Sequence, residues 1–143
     1  MLHDAHRRVW EAAVPKKTLI AIVDDDESMR EAIKGLMRSL GFAAEAFSSA
    51  DDFLIFPQLR STACLVTDVH MPGMSGLDLH RRLVALGKRI PTVMITAYPD
   101  ENIRAAGFAA GIVGYLTKPF SEKDLLDCIR CALKPGNNGD TRS

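Results

Sequence analysis

Residues 19–27 read Leu19-Ile20-Ala21-Ile22-Val23-Asp24-Asp25-Asp26-Glu27, a continuous apolar run broken off by consecutive acids. The run has strand length and is rich in strand formers. Its apolarity on both faces belongs to a parallel sheet covered by helices on two sides. The abrupt acids mark where such a strand would leave the core and meet solvent.

After these acids, residues 29–40 place Met29, Ala32, Ile33, Leu36, Met37 and Leu40 at helical spacing, and Gly41 is positioned to close that helix. Further strand-like pieces follow at residues 43–47, 64–67, 92–95 and 112–116. The helices between them have readable starts: Ser49-x-x-Asp52, Ser75-x-x-Asp78 and Ser121-x-x-Asp124 each offer a hydroxyl to a free backbone N–H. The last helix aligns Leu125, Leu126, Ile129 and Leu133 on one face. Five strands alternating with five helices predict an α/β fold with a parallel sheet. Ligands in such sheets sit beyond the carboxyl ends of the strands.

Those ends carry the polar residues. The first strand ends in Asp24-Asp25-Asp26-Glu27, the third in Thr67-Asp68, the fourth in Thr96, and the fifth leads to Lys118-Pro119. Clustered carboxylates raise one another's pKa unless a cation neutralises them. An all-oxygen set suits Mg²⁺, which keeps several waters and favours phosphate as a co-ligand. Lys118 adds a point charge for a phosphate oxygen and Thr96 a hydroxyl donor. A carboxylate in that setting can act as a nucleophile and become an aspartyl phosphate. Taken singly, each piece has an ordinary explanation as a solvated turn or loop dipeptide. Four of them at four strand ends on one sheet edge do not.

The bulk composition is that of a soluble globular protein: 143 residues, 47% hydrophobic and 25% charged, with eighteen basic residues balancing eighteen acidic ones. This balance leaves no electrostatic footprint for nucleic acid or an anionic membrane. No apolar run approaches the ~18 residues of a membrane span. The first seventeen residues lack the continuous apolar stretch of a secretory signal, and three cysteines do not make a disulfide framework. A cytoplasmic location is expected. Cys128 and Cys131 form a C-x-x-C within a helical pattern, with no second pair to complete a zinc set, and read as small helix residues.

The stretches VDDDE at 23–27, VTDVHMPGMSG at 66–76, MITAY at 94–98 and GYLTKPF at 114–120, with the separations between them, resemble the receiver domains of two-component response regulators. The resemblance runs from residue 18 to about 133, and its spacing is most similar to the FixJ/NarL branch. It implies a flavodoxin-like, doubly wound, five-stranded parallel sheet of order 2-1-3-4-5 with five helices. It further implies that Asp68 is the phosphoacceptor and that Asp25 binds Mg²⁺ directly with Asp24 assisting. The backbone carbonyl of His70 would complete the protein ligands to the metal. Thr96 would be the switch hydroxyl, Tyr115 the aromatic switch, and Lys118 the phosphate partner, with a cis Lys118-Pro119 bond. The implied partner is a sensor histidine kinase or phosphotransfer protein, and a homodimer formed on phosphorylation is a further partner of this kind. No membrane or nucleic acid partner is expected for this chain itself.

Two positions bear on what the resemblance implies. His70 occupies a position that varies in the family and influences acyl-phosphate lifetime. Gly107 lies inside the fourth helix, where it costs ~1 kcal/mol against Ala, and is read as softening a helix that takes part in switching. The domain is expected over residues 18–134, with 1–17 an extension and 135–143 a polar tail, either as a stand-alone receiver or as part of a longer regulator. The chain is expected to be a phosphoacceptor signalling domain and not an enzyme with turnover. A haloacid-dehalogenase-like phosphatase would want an acid where His70 stands. A flavodoxin would want a neutral phosphate loop where Asp24-Asp25-Asp26-Glu27-Ser28 stands. A phosphorylation-independent module would have no use for the intact acidic set.

Overall fold

The computed structural model describes residues 17–135. The expectations for the amino-terminal extension before residue 17 and for the tail after residue 135 lie outside the described residues. Five strands, β1 (Leu19–Val23), β2 (Ala43–Phe47), β3 (Thr62–Asp68), β4 (Thr92–Thr96) and β5 (Gly114–Thr117), form one sheet of order β2-β1-β3-β4-β5. All four pairings are parallel. The helices are α1 (Glu27–Ser39), α2 (Ala50–Leu54), α3 (Gly76–Ala85), α4 (Glu101–Ala109) and α5 (Glu122–Ala132), with a short 3₁₀ turn at Leu59–Ser61. This is the predicted fold and order.

Strand periodicity divides the core. Ile20 and Ile22 of β1 point to the face covered by α1 and α5, where they meet Ile33, Met37, Leu125 and Ile129. Ala21 and Val23 point the other way, towards Phe53 of α2 and Leu79 and Leu83 of α3. A third, smaller cluster of Val69, Met94 and Ile112 lies beneath α4, with Ile103 and Tyr115 packed against it. Every residue of β1 and β4 is buried, as two-sided coverage requires.

The helix starts form as their side chains direct. Ser49, Ser75 and Ser121 each accept from the backbone N–H three residues on, at 3.1, 3.1 and 3.0 Å. Asp26 caps α1, accepting from Ser28 and Met29, so one member of the acidic run serves the helix and not the pocket. Gly41 closes α1 at φ +94°.

Gly107 has a steric reason to be glycine. A Cβ there would lie 2.7 Å from Ile112 Cδ1 and 2.8 Å from Met94 Cε. It is also the buried residue of α4, with Ile103 half-buried against the same cluster, so α4 meets the core through few side chains and the close Gly107 contact. That contact, more than backbone entropy, accounts for the residue. Gly107→Ala is expected to lose about 1 kcal/mol, because overpacking costs ~1–3 kcal/mol and outweighs the ~1 kcal/mol gain in helix propensity. Urea unfolding would show it, and a stabilised variant would mean that the Met94 and Ile112 tips swing aside freely.

Candidate functional site

The register brings the strand ends together. Val23 pairs with Thr67, so Asp24 and Asp68 emerge side by side from β1 and β3. Asp68 pairs with Ile95, which puts Thr96 one step further along β4. Thr96 in turn pairs with Thr117, and Lys118 follows. The Lys118-Pro119 bond is cis, as expected.

Oxygens of Asp24, Asp25 and Asp68 lie within 4.8 Å of one another. Asp24 is fully buried, Asp68 nearly so, and Asp25 is exposed. Asp24 Oδ2 accepts from Lys118 Nζ at 3.0 Å, and Asp68 Oδ2 lies 3.6 Å from the same ammonium. Asp24 Oδ1 accepts from the Asp26 N–H at 2.9 Å. The pocket is thus three carboxylates facing one ammonium, and the charge does not balance.

That imbalance shows in Asp68. Burial, then the charge of Asp24, pushes its pKa up to about 6, against the opposing pull of Lys118; Asp25 adds to the rise and the His70 N–H lessens it. For Lys118 burial works to lower the pKa, but its hydrogen bond to Asp24 and the charges of Asp24 and Asp68 outweigh it and raise it. Asp68 therefore ionises fully only near neutrality, and its carboxylate is more basic than an ordinary aspartate. The donor set fits a hard divalent cation: all its side-chain atoms are oxygens, and Asp24 and Asp68 share the single ammonium of Lys118, which offsets one of three negative charges.

The linkage has a definite sign. The unfolded Asp68 titrates near ~3.9 and the folded one near about 6, so the native state holds the extra proton between those values. The ionised form therefore burdens the metal-free fold above about pH 6, and the burden vanishes below ~4. Asp68→Asn is expected to stabilise the metal-free protein by about 2 kcal/mol at neutral pH and by nothing at pH ~4. Unfolding midpoints in EDTA across that range would test this, and a pH-independent difference would contradict it.

Thr96 is buried, and its hydroxyl accepts from the Tyr98 N–H at 3.0 Å. Tyr115 is half-buried, and its hydroxyl accepts from the Asp100 N–H at 3.1 Å. Both side chains thus hold the backbone between β4 and α4. The exposed ring of His70 meets Tyr98 edge-on, 5.9 Å between centroids.

Two residues beside the pocket have no derivation from sequence. Arg30 reaches back from α1 to donate to the Asp24 carbonyl at 2.9 Å, and only the chain reversal after β1 makes this partner available. Gly76 begins α3 against the Asp68 backbone, where a Cβ would overlap the Asp68 carbonyl oxygen. Its place in MPGMSG marks a turn but not that contact. The cysteines stand apart from this chemistry: Cys64 is buried, and burial, with Cys128 adding, pushes its thiol up to about 12.

Comparison with known proteins bears on the family and the fold. The model for the response regulator receiver domain matches residues 20–130. Response regulator protein TmoT of Ectopseudomonas mendocina is 44% identical over 119 residues, covering 83% of this chain and 54% of that one. Transcriptional regulatory protein FixJ of Rhizobium meliloti strain 1021 is 37% identical over 114 residues, 79% of this chain and 55% of that one. The crystal structure of FixJ-N superposes with a TM-score of 0.75 at 32% identity, covering 83% of this chain and 95% of that one. The chain spans about half the length of the curated relatives it matches. With five parallel strands in the order 2-1-3-4-5 and an acidic pocket at their carboxyl ends, this chain belongs to the receiver domain family of two-component response regulators.

Proposed function

We propose that Asp68 accepts a phosphoryl group from the phosphohistidine of a sensor histidine kinase or phosphotransfer protein, and that the new charge switches the surface formed by α4, β5 and α5. The observation that supports this most is a buried, basic carboxylate 3.6 Å from the Lys118 ammonium at an open sheet edge. In the transfer the phosphohistidine N–P bond breaks as an Asp68 Oδ–P bond forms. The electron pair returns to the imidazole, which takes up a proton. Lys118 offsets charge on the transferring group, as fixed cations do at phosphoryl-transfer sites. Asp24, Asp25 and Asp68, with the His70 carbonyl, would hold Mg²⁺, which when bound neutralises the crowded carboxylates and the phosphoryl oxygens.

The switch follows from the hydrogen bonds at Thr96 and Tyr115. A phosphoryl group on Asp68 draws the Thr96 hydroxyl towards it and away from the Tyr98 N–H. The segment between β4 and α4 loses one of its two side-chain ties, and the Tyr115 tie to Asp100 is weakened as that segment moves. Because Gly107 is the buried residue of α4 and Ile103 only half-buried against the core, a modest differential interaction suffices to shift the helix. The switching unit spans residues 18–134.

Intact-protein mass after incubation with acetyl phosphate tests the chemistry. The wild type is expected to gain one phosphoryl group in the presence of Mg²⁺, and to gain none in EDTA or as Asp68→Asn. A wild type that gains nothing with Mg²⁺ would point instead to an interaction module that works without phosphorylation.

A further inference from the structure

The opposite, amino-terminal edge of the sheet carries a second concentration of charge, of the other sign. A cleft of about 410 Å³ there is lined by Arg60, Arg89 and Lys134 together with Thr62 at the start of β3. Two adjoining clefts share Arg60 and add Lys88. Among the described residues, no carboxylate lines any of the three. Among the described residues, neither Arg60, Lys88 nor Lys134 is in an ion pair. Beside this cationic rim the third cleft has an apolar floor of Leu54, Phe56 and Leu86 between α2 and α3. Leu86 is 53% exposed and the neighbouring Ile55 80%. The formal charge of zero therefore hides two poles, acidic at one end of the strands and basic at the other.

We propose that this edge is a docking surface for an acidic peptide segment of a partner protein, its carboxylates on Arg60, Lys88 and Lys134 and its apolar side chains on Leu54, Phe56 and Leu86. Complementary charge sets encounter and register, and the apolar contacts supply the area that holds the complex. Duplex nucleic acid fits less well, because a phosphate backbone offers nothing to the apolar floor. The surface is independent of the phosphoryl chemistry. Thr62 and Asp68 are the two ends of β3, so docking occurs about 20 Å from the acidic pocket at ~3.3 Å per residue.

The test uses the full ¹⁵N-labelled chain and a synthetic peptide in which Glu and Asp flank a Leu-Phe pair. Controls are the same peptide with Lys at every acidic position, a short DNA duplex, and inorganic phosphate. The acidic peptide is expected to shift the amides of Arg60, Thr62, Lys88 and Lys134 while leaving those around Asp68 in place. Its affinity is expected to fall at least tenfold in Arg60→Glu/Lys88→Glu, to fall in Leu86→Ser, and to weaken as salt rises. Arg60 and Leu86 are exposed and Lys88 half-buried, and circular dichroism confirms that both variants fold. The proposal is overturned if the acidic peptide shifts none of these amides, if the lysine peptide, duplex or phosphate binds as well, or if the charge-reversed variant binds undiminished. None of these results depends on whether Asp68 accepts a phosphoryl group.

Discussion

Lys118→Met is expected to lower the stability of the metal-free protein by about 3 kcal/mol at neutral pH, and to slow phosphoryl capture by Asp68 roughly 100-fold or more. The reason is the position of a single ammonium. Lys118 Nζ donates to the fully buried Asp24 at 3.0 Å and stands 3.6 Å from Asp68, while only about a seventh of its own side chain is exposed. Removing it leaves two buried carboxylates facing each other without compensation, which costs far more than the pair itself contributes. Two further outcomes separate this cause from ordinary loss of packing. The deficit should shrink as pH falls towards about 6, since Asp68 titrates there in the wild type and takes up its proton at higher pH in the variant, which lacks the Lys118 charge. Millimolar Mg²⁺ should also recover much of the loss, because a divalent cation supplies the missing charge. Urea unfolding in EDTA and in Mg²⁺, at two pH values, measures both. Unchanged stability in EDTA would mean that Asp24 is solvated well enough to need no partner.

Gly76→Ala is expected to be as damaging, through shape and not charge. A Cβ at Gly76 would overlap the Asp68 carbonyl oxygen and also sit 3.1 Å from its carbonyl carbon and 3.2 Å from Thr67 Cγ2. The Gly76 N–H donates to the Val69 carbonyl at 2.9 Å, so the first turn of α3 is bonded to the backbone that the new methyl would displace. Backbone does not step aside as the tip of a side chain does. A loss of about 3 kcal/mol is expected, at the upper end of overpacking. The end of β3 would move with it, and a misplacement of ~1 Å at a reacting group costs on the order of 100-fold in rate. Phosphorylation and stability should therefore fall together, whereas Gly107→Ala should cost little stability and leave phosphorylation intact. A Gly76→Ala protein of normal stability would show that α3 can tilt away from the strand.

The difference between these two glycines shows what sequence can convey. Both were visible as glycines in turn or helix context, but the contacts that make them necessary exist only once the chain folds back on itself. Gly107 faces Met94 and Ile112, and only the stacking of α4 on β4 brings them together. Arg30 is similar: its basic side chain in α1 reads as a solvated charge until the turn after β1 aims it at the Asp24 carbonyl. Asp26 was one of four consecutive acids, and only the geometry of the turn makes it a helix cap while Asp24 and Asp25 line the pocket.

Local sequence pattern was enough to read the alternation of strands and helices, the two-sided burial of the inner strands, the serine caps, and the candidate set Asp24, Asp25, Asp68, Thr96 and Lys118. These follow from local physics: periodicity, side-chain hydrogen bonding to nearby N–H groups, and polar residues where apolar runs stop. The strength of the Asp68 perturbation, the close approach of Gly107 to Met94, and the two ties that Thr96 and Tyr115 make to the segment between β4 and α4 came only with the folded chain. So did the gathering of Arg60, Lys88 and Lys134 at the far edge of the sheet. Each depends on distances between groups on different elements. Burial and Coulomb interaction act through space, and only the folded chain sets those distances.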